Sequence, residues 1–127
     1  MLKKVIKYTD YDGNERAETF YFNLSKAELM EMEFGRDGKL TQYFEKIVEA
    51  QDNVKIMAMF KEIILKAFGE KSPDGKRFIK SKELSEAFSQ TEAYTELMME
   101  IMAGDGAATA FAVGILPAEL QKEAQKK

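Results

Sequence analysis

Asp10-Tyr11-Asp12-Gly13-Asn14 places side-chain oxygens at the first, third and fifth positions of a calcium-loop pattern. The pattern then fails. The sixth position should be glycine for the sharp turn and is Glu15, and the twelfth should be a bidentate glutamate and is Tyr21. The segment reads instead as a hairpin turn, built from residues that tolerate left-handed backbone. A second group, Lys76-Arg77-Phe78-Ile79-Lys80 with Lys82, sets cations beside an aromatic ring, chemistry that could pair with phosphates or stack on a base. It spans about one turn of chain, and the plainer reading is a connector whose Phe78 and Ile79 anchor into the core while the lysines stay solvated. Any functional use of Lys76 and Arg77 points to an acidic protein partner.

Catalytic parts are scarce. Cysteine and histidine are absent, which removes thiolate nucleophiles, disulfides, most zinc sites and the commonest general base. The acidic residues sit beside lysines or near helix starts, and no phosphate loop, Ser-Lys dyad or metal-ligand spacing occurs. The sequence therefore predicts no enzyme, no cofactor and no metal. With 19 basic against 22 acidic residues, interspersed, the net charge of −3 offers no field for nucleic acid or an anionic membrane. A helix-turn-helix over Ser81–Ala103 would have a recognition helix bearing Glu92, Glu96 and Glu100 and no cation. No apolar run is long enough to span a bilayer, and the start does not read as a signal peptide, so a cytoplasmic location is expected.

Methionine is the remaining oddity, eight in all, seven of them inside predicted helices. Unbranched, polarizable thioethers either fill cores or form surfaces that repack around different partners. Helical spacing assigns Met57 and Met98 to buried stripes and leaves Met59 and Met99 off them. Met99, Met102 and Phe111, near the break at Gly104-Asp105-Gly106, are the candidate partner-binding residues.

The elements that must position these groups follow from periodicity. Alternation over Lys3–Tyr8 and the β-rich Thr19-Phe20-Tyr21-Phe22 predict a hairpin over about 2–22. Asn23-Leu24-Ser25-Lys26-Ala27-Glu28 then supplies a capping box of Ser25 with Glu28 and a hydrophobic staple of Leu24 on Leu29. Helical spacing continues over Lys39–Ala50 and over Val54–Phe68, the latter capped by Asp52 or Asn53 and stopped by Gly69. Phe60 is the expected core anchor of that central helix. Shorter helices follow the caps Ser81 and Thr91, over Lys82–Ser89 and Glu92–Ala103, and Asp105 caps a last one through Val113. The fold class is mainly α (α+β), an N-terminal two-stranded antiparallel β-hairpin followed by five or six short helices. One compact domain spans 1–116, its helical part about 25–116, and 117–127 reads as a polar tail.

Two stretches carry a family likeness: KVIKYTDYDGNERAETFYFNLSKAEL near the start, and GEKSPDGKRFIKSKELSEAFSQTEAYTEL over Gly69–Leu97. Together they resemble the phage tail assembly chaperones of long-tailed phages and prophages, especially those of Gram-positive hosts, over about Val5 to Pro117. The resemblance implies a protein that binds the long, helical, hydrophobic tape measure protein, keeps it soluble and helps recruit tail-tube subunits. It further implies a place in the cytoplasm of the bacterial host and absence from the finished virion. In that family a frameshift near the end of the reading frame commonly yields an extended minor product, and Gln125-Lys126-Lys127 is of the kind an A-rich slippery run encodes. A structural tail or head-tail component ranks second, since it would need long strands for inter-subunit sheets. A small enzyme or nucleic-acid regulator ranks third, disfavoured by the missing histidine and cysteine and by charge.

Overall fold

The structure, a computed structural model, describes residues 1–34, 46, 49–104 and 106–117. Strands β1 (Leu2–Thr9) and β2 (Glu15–Phe22) form the expected antiparallel hairpin, in register from Leu2 opposite Phe22 to Thr9 opposite Glu15. At its turn the Asp10 carboxylate accepts from the amides of Asp12 and Asn14, both at 2.9 Å, and Gly13 takes a φ of 83° that a side chain would resist. Alternation turns Ile6, Phe20 and Phe22 inward and leaves Lys3, Val5 and Lys7 outside.

Helix α1 (Lys26–Phe34) starts at the capping box: Glu28 Oε1 accepts from the Ser25 amide at 2.9 Å, and Ser25 Oγ accepts from the Glu28 amide at 3.1 Å. Leu24 and Leu29, the staple pair, are both buried. The central helix α2 (Asn53–Ala67) has Asp52 at its N-cap, accepting from the amides of Val54 and Lys55.

At the end of α2 the chain departs from the sequence expectation. Gly69 does not stop a helix in front of a connector. Phe68, with ψ of 139°, leaves the helix directly into strand β3 (Phe68–Lys71), which pairs with β2 on one side and with β4 (Phe78–Ile79) on the other. The sheet therefore has four strands in the order β1-β2-β3-β4, not two. Ser72 closes the β3–β4 turn: its amide donates to Arg77 O at 2.9 Å, its hydroxyl donates to Asp74 at 2.6 Å, and the same oxygen accepts from the Arg77 amide. That satisfies the one polar side chain buried among the described residues.

Helices α3 (Lys82–Ser89), α4 (Glu92–Met102) and α5 (Ala107–Gly114) follow. Ser81 and Thr91 cap the first two, as their sequence positions predict, accepting from the amides of Leu84 and Tyr94. At the start of α5 the N-cap position belongs to Gly106, with φ of 77° and no side-chain cap; Asp105, the expected cap, lies outside the described residues. So do the tail from 118 onward and most of the expected helix Lys39–Ala50. Five helices stand among the described residues, and the α+β class holds.

The core lies between the inner face of the sheet and the helices. Phe22, Leu24, Phe60, Ile63, Ile64, Leu97 and Ile115 are its largest fully buried side chains. Phe68 stacks on Phe88 with ring centroids 4.4 Å apart, and Phe22 meets Phe68, Phe88 and Phe111 at tilted or edge angles. Backbone bonds tie the layers together, with the Asn23 amide donating to Ala67 O at 2.8 Å and the Leu24 amide to Ile115 O at 2.9 Å. Each fully buried aliphatic or aromatic side chain here contributes about 1.5–3 kcal/mol by leaving water, so the aromatic junction of β2, β3, α3 and α5 is a main support of the sheet.

Candidate partner-binding site

Helix α4 presents two faces because its apolar residues recur at helical spacing. Ala93, Leu97, Met98 and Ile101 are buried toward the sheet, and Thr95, Glu96, Met99, Glu100 and Ala103 point outward. Met99 is 62% exposed, with Met102 half-buried one turn further on. The structure thus brings two of the predicted candidates together at the surface. Phe111 is not with them. It is 4% exposed, its ring 5.3 Å from that of Phe22 and 6.4 Å from that of Phe60, and it belongs to the core because α5 packs its apolar side under the sheet.

A cleft of about 110 Å³ opens beside α4, lined by Leu2, Leu97, Ile101, Ala107 and Ala110, with Phe111 among the lining residues. Lys4 and Glu100 also line it, paired at 2.8 Å, an ion pair with both partners partly exposed. The cleft is far smaller than the several hundred Å³ typical of small-molecule sites. It has the size of a notch for a single side chain.

Lys76 and Arg77 occupy the β3–β4 turn, exposed and remote in sequence from α4. The turn joins the two strands at the far side of the sheet, whereas α4 packs on β1 at the opposite edge, so the two groups belong to different surfaces. Phe78 and Ile79, expected as core anchors, are half-buried strand residues instead.

Two methionines on α2 exchange the roles that their spacing suggested. Met57 is 50% exposed and Met59 is buried. With 100° per residue, Met59 falls on the same side of Phe60 as Ile63 and Ala67, while Met57 lies about 60° from Phe60 on the opposite side. The stripe is centred on Ile63 and Ala67, not on Phe60, and that offset is the signal the sequence reading missed. Met57 and the neighbouring exposed Val54, together with Met30 on α1, therefore join Met99 as exposed apolar residues.

The electrostatics of the described surface are local. Glu28 takes Lys80 Nζ at 2.5 Å, and the same ammonium donates to Asn23 O at 2.7 Å, pinning the strand β4 exit to the start of α1. Burial pushes the Glu28 pKa up, but the Lys80 and Ser25 hydrogen bonds outweigh it and hold the carboxyl below its ordinary value. Asp10 is held low mainly by its hydrogen bond from Arg16, with help from the Asn14 amide, and Tyr8 is raised by its hydrogen bond to Glu18. These groups cap turns and pair strands. No group of three or more His, Cys, Asp or Glu that could hold a metal occurs among the described residues, and no described helix is long and apolar enough to cross a membrane.

What distinguishes the surface is thus exposed thioethers on helices, a small notch and a basic turn, an arrangement suited to holding another polypeptide. A family model described as phage tail assembly chaperone matches residues 1–127, the whole chain. The chain belongs to this family of phage tail assembly chaperones. No curated protein and no solved structure matches it significantly.

Proposed function

We propose that this chaperone binds the tape measure protein of its phage, keeps it soluble in the cytoplasm of the bacterial host and promotes assembly of tail-tube subunits around it, without entering the finished virion. The observation that carries this reading is Met99, 62% exposed on α4 with Met102 beside it. A thioether chain adapts its rotamers to successive apolar segments, so one such surface suits a long, repetitive helical client better than a rigid aromatic pocket would. The small notch between β1, α4 and α5 supplies a seat for one client side chain. Membership in the chaperone family supports the general role, and the exposed Met30 and Met57 on other helices extend the apolar surface available to a client.

The test is co-expression with the tape measure protein encoded in the same genome. A soluble complex that co-elutes through size exclusion is expected. A tape measure protein that remains as insoluble with the chaperone as without it would sink the reading.

A further inference from the structure

The sheet face turned away from the core carries a group of side chains that neither the packing nor the α4 surface uses. Alternation puts Lys3, Val5 and Lys7 of β1 on it, and the register sets Tyr21 of β2 opposite Lys3. Tyr21 in turn pairs with Gly69 of β3, two residues before Lys71, and Lys71 pairs with Phe78 of β4. One continuous face results.

Its composition runs against the rest of the protein. Lys3, Lys7 and Lys71 are all exposed, and none has a carboxylate partner among the described residues. Glu15, at the far end of β2, is the one acid that alternation places on this face of the strands. The chain as a whole is acidic, at −3. Of the apolar part, Val5 is 58% exposed, while Tyr21 and Phe78 are half-buried. Lys71 Nζ lies 5.7 Å from the Tyr21 ring centroid, a cation–π contact that leaves the ammonium's outward side open to an anion.

We propose that this face docks an extended acidic segment of a partner protein, with carboxylates at i and i+4 set against Lys3 and Lys7 and an apolar residue at i+2 set against Val5. The spacing selects the partner's conformation. Two lysines four residues apart on a strand stand about 13 Å apart, which matches i and i+4 in an extended segment; the same two positions on a helix are only about 6 Å apart. Charge selects its composition. A nucleic acid would need a wider basic surround, whereas here Glu83 and Glu96 are exposed on α3 and α4 of the same small molecule and repel a long polyanion. A short acidic segment meets only the basic face. This surface is separate from the methionine surface of α4 and stands without the tape-measure reading.

The probe is a short synthetic peptide repeating Glu-Thr-Val-Thr, added to the full-length, isotope-labelled chain while backbone amide shifts are followed. Shifts confined to Lys3–Lys7, Thr19–Tyr21, Gly69–Lys71 and Phe78 are expected, with affinity falling about tenfold in Lys3→Glu/Lys7→Glu and on raising the salt several-fold. Met99→Asp should leave binding unchanged, which separates failure here from failure of the α4 surface. A scrambled peptide of the same composition should bind more weakly. Absence of shifts at millimolar peptide, shifts centred on α4, or equal binding of the scrambled peptide overturns the proposal. So does tighter binding of oligothymidylate to the same amides, which would assign the face to single-stranded nucleic acid. The wild-type shift map decides even where the double variant folds poorly.

Discussion

Gly69 lies so close beneath Phe78 that a Cβ on it would stand 2.6 Å from the ring's Cε2 atom and 2.7 Å from the Ile79 carbonyl oxygen. Neither neighbour can yield easily, because the carbonyl is backbone and the ring is held between β3 and the Lys80 ammonium, 5.7 Å from its centroid. The glycine is required for close approach of two strands, not for a special backbone angle. Gly69→Ala is expected to lower stability by about 1–3 kcal/mol, the usual range for overpacking. Chemical denaturation measures it, and an unchanged midpoint would show that β4 moves away freely.

The same residue shows where sequence reasoning reached its limit. A glycine after a long apolar stripe looks like a helix C-cap, and strands of four and two residues are too short to display alternation. Their partners, β2 and each other, are fixed by tertiary contact with Phe22 and Tyr21, which no local window contains. The first hairpin, the Ser25–Glu28 box and the caps at Ser81 and Thr91 were legible because each rests on a few neighbouring residues. For the candidate site, Met99 was legible as a break in its helix's stripe. Phe111 and Met57 were not, because the direction a helix faces depends on which elements pack against it.

Phe60→Ala is expected to cost about 3–5 kcal/mol, the range for a buried phenylalanine. The side chain is 1% exposed at the middle of α2, among Ile63, Ile64 and the Phe111 ring. The urea midpoint is the readout, and a loss well under that range would mean that α5 collapses into the space left behind.

The Glu28–Lys80 pair gives an acid-side pH dependence. The folded-state pKa of Glu28 lies below its ordinary value of 4.5, so its contribution is present above that value and is lost as pH falls through the lower, folded one. Both side chains are partly exposed, so the effect is modest. Thermal melts between neutral pH and acid should show a smaller acid-induced drop in Glu28→Gln than in the wild type. Equal drops would assign acid sensitivity to other carboxylates.

Calcium should leave the melting temperature unchanged. Asp10, the carboxylate a calcium ion would need first, already accepts from two amides and from Arg16 Nε at 2.5 Å. A cation would have to displace that guanidinium and would still lack the closing glutamate. Melts with chelator and with millimolar calcium make the comparison, and a rise of several degrees with calcium would refute it.

Salt and two variants separate the α4 and β3–β4 surfaces for the proposed binding of the tape measure protein. Contacts through Met99 and Met102 are apolar and should survive high salt, whereas contacts through Lys76 and Arg77 should weaken as salt screens them. Met99→Asp places a charge between Glu96 and Glu100 on the outer side of α4, away from the buried Leu97, Met98 and Ile101, so the fold should tolerate it while client binding falls. Lys76→Glu changes an exposed turn residue and should leave binding intact if α4 carries the interaction. Phe111→Ala serves as the contrasting case: it should lower stability first and client binding only through unfolding. Pull-downs of the tape measure protein at low and high ionic strength, with each variant checked by its melting curve, give the readout. Loss of binding in Met99→Asp with no salt dependence supports the α4 surface. Salt-sensitive binding lost in Lys76→Glu would move the site to the β3–β4 turn, and insensitivity to both variants and to salt would rule out either surface.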